Sequence, residues 1–141
     1  MLAIGIDPGE KRVGVAVCDD DGVIAMPRPA LVLKSPRAIA VSVVTLAREN
    51  AAENVVMGLP IDMSGREGLA ARKSRALATA LRAEGLRVVL WDERASTVAA
   101  HRDLRRMGKD GKQARALVDS TAACLLLQSW LDASPSARGG L

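Results

Sequence analysis

The sequence predicts an α/β domain built on a mixed five-stranded sheet flanked by helices. Three apolar runs with period-two alternation follow one another through short turns, which is typical of antiparallel strands in hairpin connection. Two further apolar runs are each reached through a helical segment and should lie parallel to the first strand. The 141 residues and 49% hydrophobic content suit one compact core. We expect a single domain at 1–133 and a disordered tail at 134–141.

The first two strands are predicted at 2–7 and 13–18, joined by a Pro-Gly turn. Small residues share one face of these strands and predict that a helix packs closely on it; they are Ala3, Gly5, Gly14 and Ala16. Asp7 lies on the same face, at the carboxyl end of its strand. Taken alone, this Asp is adequately explained as a cap of the turn that follows it.

The third strand is predicted at 23–26 and 31–33, after the acidic run DDDG at 19–22. An Asp-Gly pair between apolar runs is typical of a hairpin turn. Three aspartates in a row can also hold a metal ion, but no further ligand follows at calcium-loop spacing. Pro27 and Pro29 cannot donate to a central ladder, so we expect this strand at the sheet edge.

The remaining elements alternate helix and strand. Ser35 and Pro36 predict the start of the first helix, and a buried strand follows at 54–58. The capping-box pattern SGRE at 64–67 predicts the start of a second helix that stops at Gly85. A last strand at 86–91 leads into Asp92, Glu93 and Arg94. A third helix and a largely apolar final helix at 114–131 complete the domain.

Three carboxylates are predicted to meet where the parallel strands end. Asp7 and Glu93 follow two of those strands, and Asp119 lies on the apolar face of the final helix. The helix dipole is an alternative reason for an acidic residue at that position. Converging carboxylates repel one another unless a divalent cation neutralises them, and oxygen ligands suit Mg²⁺ or Mn²⁺. Two such ions about 3.5–4 Å apart can drive an in-line phosphodiester displacement.

Positive charge is concentrated in one segment of the chain. Residues 101–115 contain six basic and two acidic residues. Their local net charge therefore equals the net charge of +4 of the whole chain. This pattern is typical of a phosphate-binding surface, although a solvated helix face also produces it. With two Trp and no Phe or Tyr, nucleic acid would be held by its backbone. The predicted nucleic-acid contacts are Lys11, Arg12, Arg66, Arg94, Arg102, Arg105, Arg106, Lys109, Lys112 and Arg115.

Other site types are disfavoured by composition. The single histidine, His101, argues against a Ser-His-Asp triad or a histidine-based metal site. Cys18 and Cys124 lack CxxC spacing, so we expect buried reduced thiols. The apolar run at the N-terminus is too short for a signal sequence or a membrane span, which leads us to expect a cytoplasmic protein without a membrane partner.

Four motifs, in this order, resemble the YqgF/RuvX family of Holliday-junction-resolvase-like nucleases: GIDPGEKRVGVAV, VVMGLPIDMSGREG, WDERAST and VDSTAACLLLQ. The resemblance covers nearly all of 2–131 and implies the ribonuclease H fold. It also implies that Asp7, Glu93 and Asp119 are catalytic metal ligands. Members similar to this chain are associated with branched DNA and with precursor 16S ribosomal RNA. Pro8 departs from the usual family pattern and makes the turn similar to that of RuvC resolvases, which favours junction DNA.

The predicted function is therefore a metal-dependent, structure-selective endonuclease acting on a four-way DNA junction or on precursor ribosomal RNA. A symmetric junction needs two cuts, so a homodimer is the natural assembly for that substrate. A non-catalytic ribosome-assembly factor that binds nucleic acid is an alternative, but clustered carboxylates would not help such a protein. An actin-like ATPase is a third hypothesis. The length of this chain argues against it, because those proteins close two domains over the nucleotide.

Overall fold

The computed structural model describes residues 2–9, 11–32, 35–92, 120–133, 135–136 and 138–139. Five strands and three helices lie within these ranges. In chain order they are β1 Ala3–Pro8, β2 Val13–Cys18, β3 Ala25–Leu31, α1 Pro36–Glu49, β4 Asn54–Leu59, α2 Leu69–Ala83, β5 Arg87–Asp92 and α3 Thr121–Asp132. The helix predicted after the last strand and the predicted beginning of the final helix lie outside the described residues.

The strands form one mixed sheet in the order β3-β2-β1-β4-β5. β2 pairs antiparallel with both β1 and β3, whereas β4 pairs parallel with β1 and with β5. The predicted mixed five-stranded sheet is therefore confirmed, as is the edge position of the proline-containing β3. Because β1, β4 and β5 run parallel, Pro8, Leu59 and Asp92 end them on the same side of the sheet. We call this side the carboxyl edge.

Helices cover both faces of the sheet, and each face has its own apolar cluster. α1 and α2 pack on one face, where Ile4, Met57 and Leu81 are fully buried. α3 packs on the other face, where Leu127 and Trp130 lie against small residues of β1 and β2. None of the described helices is long and apolar enough to cross a membrane.

The close contact of α3 with the sheet depends on Gly5. A Cβ atom at this position would lie 2.8 Å from the backbone oxygen of Ala123 and 2.9 Å from the Cβ of Leu127. Atoms at such distances overlap, and the helix backbone cannot yield as a flexible side chain would. The prediction that a helix packs closely on the small-residue face of β1 and β2 is confirmed.

Polar side chains on one stripe of the final helix bind the backbone around β3. Ser120 Oγ donates to Arg28 O at 2.5 Å, and Cys124 Sγ lies 3.5 Å from Ala25 O. One turn further, Gln128 Oε1 accepts from Ala25 N at 2.9 Å. These residues are spaced four apart, so they lie on one helix face. Their bonds satisfy backbone groups of an edge strand that would otherwise face solvent.

The acidic hairpin between β2 and β3 is organised by Asp19. Its Oδ1 accepts from the backbone N–H groups of Val23 at 2.7 Å and Ile24 at 3.0 Å. The backbone N–H of Gly22 donates to Asp19 O, and Gly22 adopts a φ of 68°, which favours glycine. The hairpin interpretation of the DDDG run therefore holds, since this carboxylate serves the turn.

The predicted start of the second helix is wrong. α2 begins at Leu69 after the N-cap Gly68, which makes no side-chain capping bond, and not in the Ser64–Glu67 pattern. Ser64 instead donates its hydroxyl to Asp62 Oδ1 at 2.6 Å. Asp62 lies two residues earlier and competes for the polar groups that a capping box would use.

The disordered tail expected at 134–141 stays a prediction, and Arg138 within that segment contacts Trp130 of α3. Arg138 donates from Nε to Trp130 O at 3.1 Å, and its guanidinium carbon lies 5.0 Å from the centre of the Trp130 ring. Trp130 Nε1 in turn donates to Arg138 O at 3.0 Å. This reciprocal contact combines hydrogen bonds with a cation–π interaction.

Gly5→Ala should destabilise the protein by about 1–3 kcal/mol, the usual cost of forcing an extra carbon into a packed core. Equilibrium denaturation measures this change. Gly139→Ala is the matched control, because nothing lies within 4 Å of a Cβ placed there. Equal stability of the two variants would contradict the close packing of α3 on β1.

The pKa of Asp19 should lie below its ordinary value of 3.8, because the backbone N–H groups of Ile24 and Val23 stabilise the carboxylate. A lowered folded-state pKa contributes stability that is present above the ordinary value and is lost as the pH falls through the folded value. Asp19→Ala should remove this acid dependence from the unfolding free energy. An NMR titration of the Asp19 carboxyl carbon with a midpoint at or above 3.8 would contradict the assignment.

Candidate active site

Asp7 is the one predicted carboxylate that lies within the described residues. It is half-buried near the carboxyl end of β1, opposite Gly14 of β2. Strand alternation puts its side chain on the face of Ala3 and Gly5, which α3 covers. The carboxylate thus lies where the carboxyl edge meets the N-terminal end of α3.

The turn after Asp7 presents two basic residues at the carboxyl edge. The backbone N–H of Gly9 donates to Arg12 O at 2.9 Å and closes the turn between β1 and β2. A Cβ on Gly9 would lie 2.7 Å from that same oxygen, so this position requires glycine. Lys11 and Arg12 are exposed, a few residues from Asp7.

A second turn at the same edge follows β4. Ile61 and Glu67 form an isolated antiparallel bridge, and Asp62 Oδ1 accepts from the backbone N–H groups of Ser64 at 2.9 Å and Arg66 at 2.8 Å. Gly65 has a φ of 84°, which side-chain-bearing residues rarely adopt. This ordered turn, 61–67, holds the exposed Arg66 near the carboxyl edge. Sequence reasoning missed it, although the D-x-S-G spacing is a recognisable turn signal.

An ion pair ties this turn to α2. Arg75 Nη2 donates to Glu67 Oε2 at 2.7 Å, and Nε donates to Oε1 at 2.5 Å. The side-chain hydrogen bond from Arg75 lowers the pKa of Glu67, and the same bond raises the pKa of Arg75. Such bidentate geometry orients both groups. The turn therefore has a fixed attachment to the helix behind it.

The other predicted site residues lie outside the described residues. They are Glu93, Arg94, Arg102, Arg105, Arg106, Lys109, Lys112, Arg115 and Asp119. Their roles stay predictions. Two described residues adjoin Glu93 and Asp119 in the chain. Asp92 ends β5 opposite Leu59 of β4, and Ser120 precedes α3.

The described part of the chain contains no group of three His, Cys, Asp or Glu side chains that could hold a metal ion. That part includes only Asp7 of the three predicted ligands, so the predicted three-carboxylate site stays a prediction. The predicted donor set consists of carboxylate oxygens, which fit hard divalent cations such as Mg²⁺ and Mn²⁺.

The family is decided by a match over almost the whole chain. The model of the RuvX family, described as a Holliday junction resolvase, matches residues 1–133. This chain belongs to the RuvX family. The sequence resemblance is thereby confirmed.

Curated proteins agree with this RuvX assignment. A protein of Myxococcus xanthus named "Putative pre-16S rRNA nuclease" is 41% identical over 134 residues, which cover 94% of this chain and 89% of that protein. A protein of the same name from Anaeromyxobacter sp. is 41% identical over 135 residues, covering 94% of this chain and 97% of its own length.

Solved structures of resolvases share the fold. Thermus thermophilus RuvC is 16% identical with a TM-score of 0.60, over 92% of this chain and 95% of its own. A fowlpox virus resolvase in complex with Holliday junction DNA is 11% identical with a TM-score of 0.57, over 94% of this chain and 97% of its own. At such low sequence identity, the structural similarity shows the fold alone. It confirms the predicted ribonuclease H-like architecture.

Proposed function

We propose that this RuvX-family chain is a divalent-metal-dependent endonuclease that cuts phosphodiester bonds in branched DNA or in precursor 16S ribosomal RNA. The observation that carries the proposal is the position of Asp7. It lies half-buried at the carboxyl edge, between two glycine-containing turns that present Lys11, Arg12 and Arg66. A half-buried carboxylate with basic residues on neighbouring turns is suited to hold a metal ion beside a phosphate.

The end of β5 supports Glu93 as the second ligand of this proposal. Glu93 directly follows Asp92, the last residue of β5, in the chain. Asp92 pairs with Leu59 of β4, and β4 pairs with β1. Since neighbouring strands are about 4.8 Å apart, two strand spacings separate β5 from β1. We propose that Asp7 and Glu93 share a metal ion at this edge of the sheet.

The same reasoning supports Asp119 as the third ligand. Asp119 directly precedes Ser120, whose Oγ accepts from Val15 N at 3.0 Å. Val15 is the β2 partner of Ile6, and Ile6 directly precedes Asp7. Asp119 therefore adjoins a residue that is anchored to β2, the strand next to β1.

In this proposal Asp7, Glu93 and Asp119 hold Mg²⁺ or Mn²⁺, two ions in the complete site. The bound metal supplies Lewis-acid activation of water and of the scissile phosphate. The basic side chains bind flanking phosphates and orient the strand. The proposed site lies at the carboxyl edge, where three parallel strands end.

Substrate choice belongs to the same proposal. The curated relatives are named "Putative pre-16S rRNA nuclease", and the structure of a RuvC of similar fold is a complex with a Holliday junction substrate. We propose that this chain recognises branched or structured nucleic acid through its backbone, and that a four-way junction engages two copies of the chain. Analytical ultracentrifugation with and without a junction measures that assembly.

Asp7→Asn should abolish metal-dependent cleavage. Removing residues that only support metal ligands commonly costs 10–100-fold in activity, so losing a ligand should lower kcat/KM by at least about 100-fold. The assay compares a four-way DNA junction, a plain duplex and a precursor 16S rRNA end, each with Mg²⁺ and Mn²⁺.

Asp20→Asn is the matched control for this assay, since Asp20 is exposed in the hairpin at the other end of β2. It should cut as the wild-type protein does. The proposal is wrong if the wild-type protein cuts none of these substrates, or if the Asp7→Asn protein retains full activity.

Lys11→Ala and Arg66→Ala should each weaken nucleic-acid binding whatever the sequence of the nucleic acid. Each should also reduce the slope of log K against log salt concentration by the amount expected for about one phosphate contact. Arg87→Ala is the control, because Arg87 is exposed at the start of β5 on the opposite edge. Fluorescence anisotropy at several salt concentrations measures both quantities.

The triple variant of Arg102, Arg105 and Arg106 tests the basic segment in the same way. Unchanged affinity and salt slope would show that the substituted residues do not contact the nucleic acid.

A further inference from the structure

A groove lies between α1 and α2, on the face of the sheet opposite α3. Its volume is about 810 Å³, within the range of about 300–1,000 Å³ that is typical of pockets that enclose a ligand. Val44 and Leu77 are buried among its lining residues, and Val41, which also lines it, is 59% exposed. The α1–α2 groove is therefore an apolar surface that the described part of this chain leaves uncovered.

The rim of this groove is positively charged. Arg37 and Arg48 lie near the two ends of α1, Lys73 lies on α2, and all three side chains are exposed. Glu84 is the acidic residue among the described lining residues, so three cations and one anion give a local charge of +2. None of these cations belongs to the predicted nucleic-acid contacts. An occupant of complementary chemistry would be apolar and acidic.

The hairpin at 19–24, between β2 and β3, has this chemistry. Val23 and Ile24 are 59% and 56% exposed. Asp21, two residues before Val23, is an exposed carboxylate. Adjacent exposed apolar side chains with polar groups beside them are typical of interaction sites. The hairpin therefore matches the groove both in apolar character and in charge.

The hairpin holds these side chains on an ordered turn. Asp19 Oδ1 accepts from the backbone N–H groups of Val23 and Ile24, and Gln128 Nε2 of α3 donates to Val23 O at 2.9 Å. The backbone of the turn is thus hydrogen-bonded within its own chain. A contact made by such a preorganised turn loses little conformational entropy on binding.

The hairpin and the groove lie on different parts of the surface. Because β2 runs antiparallel to β1, the hairpin that follows β2 lies at the edge of the sheet opposite the carboxyl edge. The described lining of the groove includes no residue of 19–24. A hairpin that enters this groove therefore comes from a second copy of the chain.

We propose that two copies of this chain form a dimer in which the 19–24 hairpin of each copy inserts into the α1–α2 groove of the other. A two-fold axis makes this contact twice, because each copy contributes one hairpin and one groove. Asp7 belongs to the face of the sheet that α3 covers, so the contact leaves the candidate active site open. The inference goes beyond the proposed nuclease function, since this dimer needs neither metal nor nucleic acid.

Sedimentation velocity of the metal-free protein at a series of concentrations, without nucleic acid, measures the Kd of the dimer. Ile24→Asp should raise this Kd by at least about tenfold, because it puts a charge into the apolar part of the contact. Val32→Asp is the matched control, since Val32 is 68% exposed and belongs to neither the hairpin nor the groove. It should retain the wild-type Kd.

Charge reversal tests whether the hairpin and the groove are partners. Asp21→Lys and Lys73→Glu should each raise the dimer Kd by about tenfold at low salt, because each places like charges across the contact. The double variant again has opposite charges on the two surfaces and should return the Kd to within about threefold of the wild-type value. Added salt should reduce the effect of each single variant, because it screens exposed charges.

A wild-type protein that stays monomeric at every concentration would overturn the inference. A dimer whose Kd is unchanged by Ile24→Asp, or a double variant no tighter than its parents, would overturn it too. Assemblies that grow beyond the dimer would contradict the two-fold arrangement, since a head-to-tail contact that does not close continues from copy to copy. Should Ile24→Asp fail to fold, as judged by thermal unfolding, Ile24→Ser replaces it under the same criterion.

Dimerisation and cleavage can fail independently of each other. A wild-type protein that dimerises as expected but cuts no substrate would contradict the nuclease proposal and support the contact between copies. Cleavage by a protein whose dimer Kd is the same with and without Ile24→Asp would overturn the contact alone.

Discussion

The close packing of α3 on the β1–β2 face is the constraint on which the rest of the structure depends. Gly5 lets the helix backbone approach to a distance that any Cβ would forbid. The polar stripe of Ser120, Cys124 and Gln128 then holds the helix on the edge strand through backbone groups. Packing sets the distance between helix and sheet, and hydrogen bonds set the register.

This constraint matters because opposite faces of the sheet have different tasks. α1 and α2 bury the large apolar cluster and supply most of the core. The α3 face is lined by smaller residues and has Asp7 at its end. A half-buried carboxylate there is costly to keep ionised unless a cation or hydrogen-bond donors compensate. Stability is thus concentrated on one face of the sheet, and the candidate chemistry lies at the edge of the other.

The loops at the carboxyl edge complete this division. Gly9 and Gly65 allow tight turns, and Asp62 satisfies backbone N–H groups that would otherwise need water. Preorganised turns present cationic side chains without a large loss of backbone entropy when a phosphate binds. The ion pair of Glu67 with Arg75 fixes one of these turns to α2. Under the proposed function, nucleic acid would meet two turns whose shapes are formed beforehand.

The sequence by itself determined the sheet, its parallel and antiparallel pairs, the edge strand and the small-residue face that receives a helix, because alternation, proline and residue size are local properties. It also named Asp7 and the turn beside it. The tertiary structure decided three other features. α2 begins later than predicted because Ser64 donates its hydroxyl to Asp62, Arg138 contacts Trp130, and the Ser120 side chain bonds to the sheet. A serine at an N-cap position predicts a helix cap in any sequence. Only the folded chain brings Val15, 105 positions away, close enough to donate its backbone N–H to that hydroxyl.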